Sequence, residues 1–111
     1  MKPRILFVCS RNQWRSPTAE KCYLTDARIE VRSAGVSQAA RHVISSADVE
    51  WADLILVMDT EHKRRIVERF RGADLPPIES LEIPDDYGYL DDELITLIRS
   101  STEPWINQLL S

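Results

Sequence analysis

The apolar positions fall into short continuous runs separated by amphipathic stretches. Ile5-Leu6-Phe7-Val8 is unbroken, the pattern of a strand buried on both faces of a parallel sheet. After Cys9 comes a polar, irregular stretch, then Ser16-Pro17, a favoured N-cap followed by a favoured first helical residue. A helix is predicted over 17–26, with Ala19, Cys22 and Tyr23 on one face. Residues 29–33 alternate and read as a second strand, with Gly35 as a turn; 36–44 fit no period. Ser45 or Ser46 caps a short helix through Trp51, and Leu54 to Met58 is a second unbroken run, a third strand.

Thr60 is placed to cap a helix over 61–70, with Glu61 in its first turn and Arg69 and Arg71 near its end, signs that suit the helix dipole. Gly72 stops it. Residues 78–83 form a weaker fourth strand after Pro76-Pro77. Asp91 caps a last helix with Leu94, Leu97 and Ile98 inward, which Pro104 kinks or restarts. The order β-α-β-α-β-α-β-α predicts a three-layer α/β fold, a four-stranded parallel sheet with helices on both faces, in one domain over 1–111. Active sites of such sheets lie beyond the carboxyl ends of the strands. Cys9 ends the first strand, and Asp59 and Asp85 follow the third and fourth.

Composition narrows the class of function. The chain has 111 residues, 43% of them hydrophobic and 29% charged, as ordinary globular proteins have. No apolar run approaches the ~18 residues of a membrane span. The start has too short an apolar stretch for a signal peptide, so a cytoplasmic location is expected. A net charge of −4 argues against broad nucleic-acid binding but leaves room for a small anion pocket. The two cysteines form no metal-ligand or disulfide pattern. No metal or cofactor is expected, and no stripe fixes an oligomeric state.

The chemistry concentrates in Cys9-Ser10-Arg11-Asn12-Gln13-Trp14-Arg15-Ser16. Consecutive backbone N–H groups in a tight loop make an anion-binding concavity, and a following helix adds its positive end. A cysteine at the base of such a bowl is in the setting that produces a thiolate nucleophile. Arg15 offers a planar fork to two phosphate oxygens. Ser16 is placed to donate to the sulfur, and a thiolate beneath a bound phosphate is placed for in-line attack. The bland alternative is a buried cysteine, a capping serine and solvated arginines; placement between strand and helix favours the functional reading. Expulsion of an alkoxide or phenolate needs an acid across the pocket, and Asp85-Asp86 supplies one. With three glycines in the chain and no GxxxxGK[ST], this is not a nucleotide loop.

These residues resemble the low-molecular-weight protein tyrosine phosphatases. Leu6 to Glu20 looks like the family's opening strand, phosphate loop and first helix; Ser33-Ala34-Gly35 and Ala52 to Asp59 are similar to its later segments, and Asp85-Asp86-Tyr87 stands where it carries Asp-Pro-Tyr. The resemblance covers most of the chain, including that of a short bacterial variant. It implies a phosphocysteine intermediate on Cys9, with Arg15 binding phosphate, Ser16 bonding the thiolate, Asn12 holding the turn, Asp85 as acid and Tyr87 as an aromatic wall. Ser10, Arg11, Gln13 and Trp14 complete the substrate-binding loop. The implied partner is a phosphotyrosine protein or small aryl phosphate.

Three features depart from the family pattern. Arg11 stands at a usual glycine, which would be strained at positive φ and otherwise adds a second positive charge. Trp14 replaces a second loop cysteine. The stretch between Gly35 and the third strand is short, which predicts a shallower cleft. Two other readings are a non-catalytic phosphate or phosphopeptide binder, and an arsenate reductase, for which Cys22 is the only resolving thiol. Cys22 and the tryptophans Trp51 and Trp105 are expected in the core, and His42 and His62 on the surface.

Overall fold

The computed structural model describes residues 1–111. Its strands are β1 (Arg4–Cys9), β2 (Glu30–Gly35), β3 (Leu54–Val57) and β4 (Ile78–Ser80); its helices are α1 (Arg15–Tyr23), α2 (Ser46–Trp51), α3 (Thr60–Arg69) and α4 (Asp92–Leu110). The sheet is wholly parallel, in the order β2-β1-β3-β4. This is the expected three-layer α/β arrangement. Period-two alternation divides it into two cores. Ile5, Phe7 and Cys9 of β1, with Leu54 and Leu56 of β3, pack with Tyr23 of α1 and Leu94, Ile98 and Ile106 of α4. Leu6, Val8, Ile55 and Val57 face the other way, onto Val49 of α2 and Ile66 of α3. Burial on both faces is why β1 and β3 read as continuous apolar runs.

The chain leaves β1 for β2 on one side and returns past it to β3 on the other, so the order reverses between β1 and β3. Ligands of open parallel sheets bind at such a reversal. Cys9 and Asp59 stand there, after adjacent, directly paired strands.

Several boundaries differ from the sequence expectation. α1 starts at Arg15 rather than Pro17, and Ser16 is not its cap: the cap position falls on Trp14, which makes no capping bond. The Ser16 hydroxyl is engaged elsewhere. Ser45, rather than Ser46, caps α2, in a reciprocal box with Asp48. Asp59, rather than Thr60, caps α3. β4 ends at Ser80 because Glu82 takes a φ of 52°. Leu81 and Ile83 still donate to the Val57 and Met58 carbonyls at 2.8 Å, so the segment continues beside β3 irregularly. Trp51 and Trp105 are half-buried rather than core; the Arg32 guanidinium lies 4.4 Å from the Trp51 ring centroid. No helix is long and apolar enough to cross a membrane.

Pro104 neither breaks nor restarts α4, which runs unbroken for 19 residues. Pro104 and Ser100, four residues before it, are both exposed, so the carbonyl that Pro104 cannot serve is accessible to solvent. Leu97, expected inward, is half-buried, and Ile106 joins Leu94 and Ile98 in the apolar stripe. Replacement Pro104→Ala is expected to stabilise the protein by about 1–3 kcal/mol, since proline in a helix interior costs about 3 kcal/mol relative to alanine and gives part of that back by stiffening the unfolded chain. A urea midpoint that fails to rise would contradict the placing of Pro104 in the interior of a continuous α4.

Candidate active site

The loop between β1 and α1 is pinned by its carbonyls. Cys9 O accepts from Val36 N–H (3.0 Å), Ser10 O from Ser37 N–H (2.9 Å) and Arg11 O from Arg41 N–H (3.0 Å). The short 36–44 stretch therefore holds the loop from outside. Gly35 makes the approach possible: a Cβ there would lie 2.6 Å from the Ser10 carbonyl oxygen and 2.9 Å from the Asn12 nitrogen. With carbonyls turned outward, the N–H groups of Arg11, Asn12, Gln13 and Trp14 have no acceptor within the protein. Together with the N-terminus of α1, they make an anion cradle.

Cys9 lies at the base, 3% exposed, its Sγ 3.0 Å from Ser16 Oγ. Asn12 Nδ2 donates to Ser16 Oγ (3.0 Å) and to Ser33 Oγ (2.9 Å), and Ser33 in turn donates to Glu20 Oε1 (2.6 Å). Because Ser16 accepts from Asn12, its own proton is free for the sulfur or for the Ala34 carbonyl at 3.3 Å. Asn12 carries the loop's left-handed turn, with φ 53°.

Arg15, only 5% exposed, is fixed by Nη1 donating to the Ile83 carbonyl at 2.9 Å. Asp85 Oδ1 lies 3.5 Å from its Nε and Asp59 Oδ2 3.9 Å from Nη1. A buried guanidinium thus faces two carboxylates. The cleft above is lined by Cys9, Ser10, Arg11, Gln13, Trp14, Arg15 and Asp85 and holds about 150 Å³. Drug-sized ligands take pockets of roughly 300–1,000 Å³, so this space suits a phosphoryl group and the atoms bonded to it. Asp86 is not in the lining, which separates it from Asp85.

Two expectations change here. Tyr87 does not line the cleft; it is half-buried against the α1–α4 core, and burial with the nearby Glu93 carboxylate pushes its hydroxyl up. Nor is His62 a surface residue: it is 4% exposed. Its Nδ1 accepts the Asp59 N–H at 3.2 Å, so the neutral ring carries its proton on Nε2, 3.8 Å from Asp59 Oδ2. The spacing Asp59-Thr60-Glu61-His62, a capping box with histidine in the glutamate's place, is the signal that the sequence reading passed over. The Asn12 side chain lies buried beneath the loop, outside the cleft lining, and the residue contributes its backbone N–H to the cradle.

No family model matches the chain. The protein-arginine-phosphatase of Geobacillus stearothermophilus is 34% identical over 97 residues, an alignment taking in 66% of this chain and 66% of that protein. The solved structure of the YwlE arginine phosphatase from the same organism superposes over 96% of both chains, with 30% identity and a TM-score of 0.70. The chain belongs to the low-molecular-weight protein tyrosine phosphatase family. It is a phosphatase of that cysteine-dependent type. The low-molecular-weight protein tyrosine phosphatase SP-PTP of Streptococcus pyogenes has the same fold, with a TM-score of 0.82 at 22% identity, over 100% of this chain and 95% of that one.

Set in that family, the three departures take on definite meaning. Arg11 is not at positive φ, so it is unstrained and brings a second cation to the cleft. Trp14, 43% exposed, is the one aromatic side chain of the lining. None of residues 36–44 reaches the cleft, in keeping with the expected loss of a wall. Cys22 is half-buried on α1, and burial pushes its thiol up, Arg99 opposing; that works against a resolving thiolate and hence against arsenate reduction.

Burial holds His62 below its ordinary value; Asp59 opposes this, Arg15 and Arg65 add to it, and Asp85 opposes it. The folded protein therefore takes up this proton at lower pH than the unfolded chain. Its stabilising contribution is complete above about pH 6.5 and is lost as pH falls through the folded value. Urea unfolding between pH 5 and 8 should show wild type losing more stability on acidification than His62→Gln, with a constant difference above pH 7. Parallel curves would contradict this account of His62.

Proposed function

We propose that this chain hydrolyses phosphorylated protein side chains through a phosphocysteine on Cys9. The observation that carries the reading is the Cys9 sulfur at the base of a cradle of unpartnered N–H groups, beside the buried Arg15 fork. With Nη1 engaged by Ile83, Arg15 has Nε and Nη2 for two phosphate oxygens. The bound phosphate takes the guanidinium edge where Asp85 makes its loose 3.5 Å contact, and Asp85 turns to the leaving atom. The thiolate attacks phosphorus, the bond to the leaving group breaks, and Asp85, entering this step as the carboxylic acid, gives that atom its proton and is left as the carboxylate. Water then attacks the phosphocysteine, passing a proton to Asp85, and the thiolate leaves toward the Ser16 hydroxyl.

Phosphoarginine is the substrate class we favour. The lining is polar apart from Cys9 and Trp14, and the aromatic wall expected from Tyr87 is absent from it. A guanidino leaving group is matched by the Asp85 carboxylate and by the face of Trp14. The Geobacillus stearothermophilus protein matched at 34% identity in sequence, and the solved structure from that organism matched at 30%, carry the name arginine phosphatase. Phosphotyrosine is the second reading, supported by the family's aryl-phosphate chemistry and by Trp14 as a stacking surface.

The test is phosphate release from matched phosphoarginine and phosphotyrosine peptides with metal chelator present. Wild type should turn over the phosphoarginine peptide with at least tenfold higher kcat/KM, Cys9→Ser should be inactive on both, and Asp85→Asn should lose about 10²-fold in kcat. The reverse ratio would establish the phosphotyrosine reading. Tight binding of both peptides without turnover by wild type would make the chain a binding module.

A further inference from the structure

We infer that a hydrogen bond from the Leu90 N–H to Thr18 Oγ1 is a latch that positions Asp85; the inference rests on the reading of Asp85 as the acid. The segment 84–91 carries Asp85 between the irregular end of β4 and the start of α4. Its entry is fixed twice at Ile83, whose N–H donates to Met58 O and whose carbonyl accepts from Arg15. Its exit is fixed at Asp91, whose carboxylate caps α4 through the Glu93 and Leu94 N–H groups. Between these points Asp85, Asp86, Gly88, Tyr89 and Leu90 are exposed, and Tyr87 alone packs on the core.

The Leu90–Thr18 bond, 3.0 Å long and spanning 72 residues, ties this exposed stretch to α1. Thr18 is fully buried, its N–H donating to Trp14 O in the first turn of α1. A buried threonine hydroxyl is a fixed acceptor. Leu90, by contrast, has a φ of 60°, a left-handed conformation unfavourable for a residue with a branched side chain and no local polar group. Such a residue keeps that conformation only where its surroundings impose it; here the Asp91 N–H closes a turn on the Gly88 carbonyl (3.2 Å) with Leu90 as its third residue, and the bond to Thr18 anchors that turn to α1. Arg15 and Thr18 lie on the same helical turn. The phosphate-binding fork and the latch therefore share one rigid element, which fixes the height of Asp85 above the cradle. Thr18 touches no reacting atom; it is a positioning residue.

A positioning role separates from a structural one by leaving group. Replacement Thr18→Val removes the acceptor and keeps the shape; Thr18→Ser keeps the acceptor. Steady-state kcat is read on nitrophenyl phosphate, whose leaving group departs without help, and on phenyl phosphate, which needs the acid. Thr18→Val should lose about tenfold or more in kcat on phenyl phosphate and less than about threefold on nitrophenyl phosphate, a fraction of the 10²–10⁴-fold that a positioned acid contributes. Thr18→Ser should restore the phenyl phosphate rate to within about threefold. Asp85→Asn, assayed alongside, should show the same split more strongly.

Thermal melting checks that each variant folds. If Thr18→Val does not fold, Thr18→Ala removes the acceptor without adding bulk to the buried site and should give the same split. Equal loss on both substrates, or none on either, with Asp85→Asn still showing the split, would overturn the latch alone. Absence of the split in Asp85→Asn would overturn the acid reading and the latch with it.

Discussion

Four consecutive backbone N–H groups, Arg11 to Trp14, have no acceptor within the protein. Chains avoid this in buried settings because an unmade hydrogen bond costs about 1–3 kcal/mol. Here the arrangement is enforced from outside. Three successive loop carbonyls are drawn outward by Val36, Ser37 and Arg41, and Gly35 lets the strand end approach where any side chain would collide. An anion is the partner that satisfies several such groups together. The cysteine beneath, the arginine beside and the helix behind gain their meaning from that one constraint.

In the proposed reaction the first turn of α1 serves both halves of the chemistry. Arg15 and Ser16 face the phosphate loop, while Arg15 and Thr18 hold the segment that carries Asp85. One buried guanidinium faces the Asp59 and Asp85 carboxylates, neither within close hydrogen-bond distance. A phosphate dianion competes for the same guanidinium edge. Binding and release of Asp85 are thereby coupled through a single side chain rather than through a domain movement. His62 completes the arrangement from α3, buried and neutral, holding the Asp59 backbone through the cap.

Much of this was legible in the sequence because burial on both faces leaves unbroken apolar runs, as in β1 and β3. Cys9, Arg15 and Asp85 were legible because each follows a strand end or opens a helix. Other features depend on long-range contacts that spacing does not encode. Ser16 reads as a cap until Cys9 and Asn12 are seen to claim its hydroxyl. His62 reads as a surface histidine because most of α3 is polar, yet it turns inward, its Nδ1 accepting the Asp59 N–H at the helix cap. Tyr87 follows its family neighbour in sequence, yet packs inward on the α1–α4 core. The lengths of β4 and α4 were misjudged because Glu82 breaks an otherwise extended pattern, while Pro104 falls where its missing bond faces solvent.

The most direct test of the anion cradle is amide NMR during titration with inorganic phosphate. The account predicts that the N–H signals of Arg11, Asn12, Gln13 and Trp14 move downfield together, with slowed solvent exchange, along a single saturation curve shared with the Arg15 side chain. Phosphate binding that leaves those four amides unmoved, or that shifts groups elsewhere on the surface, would contradict it.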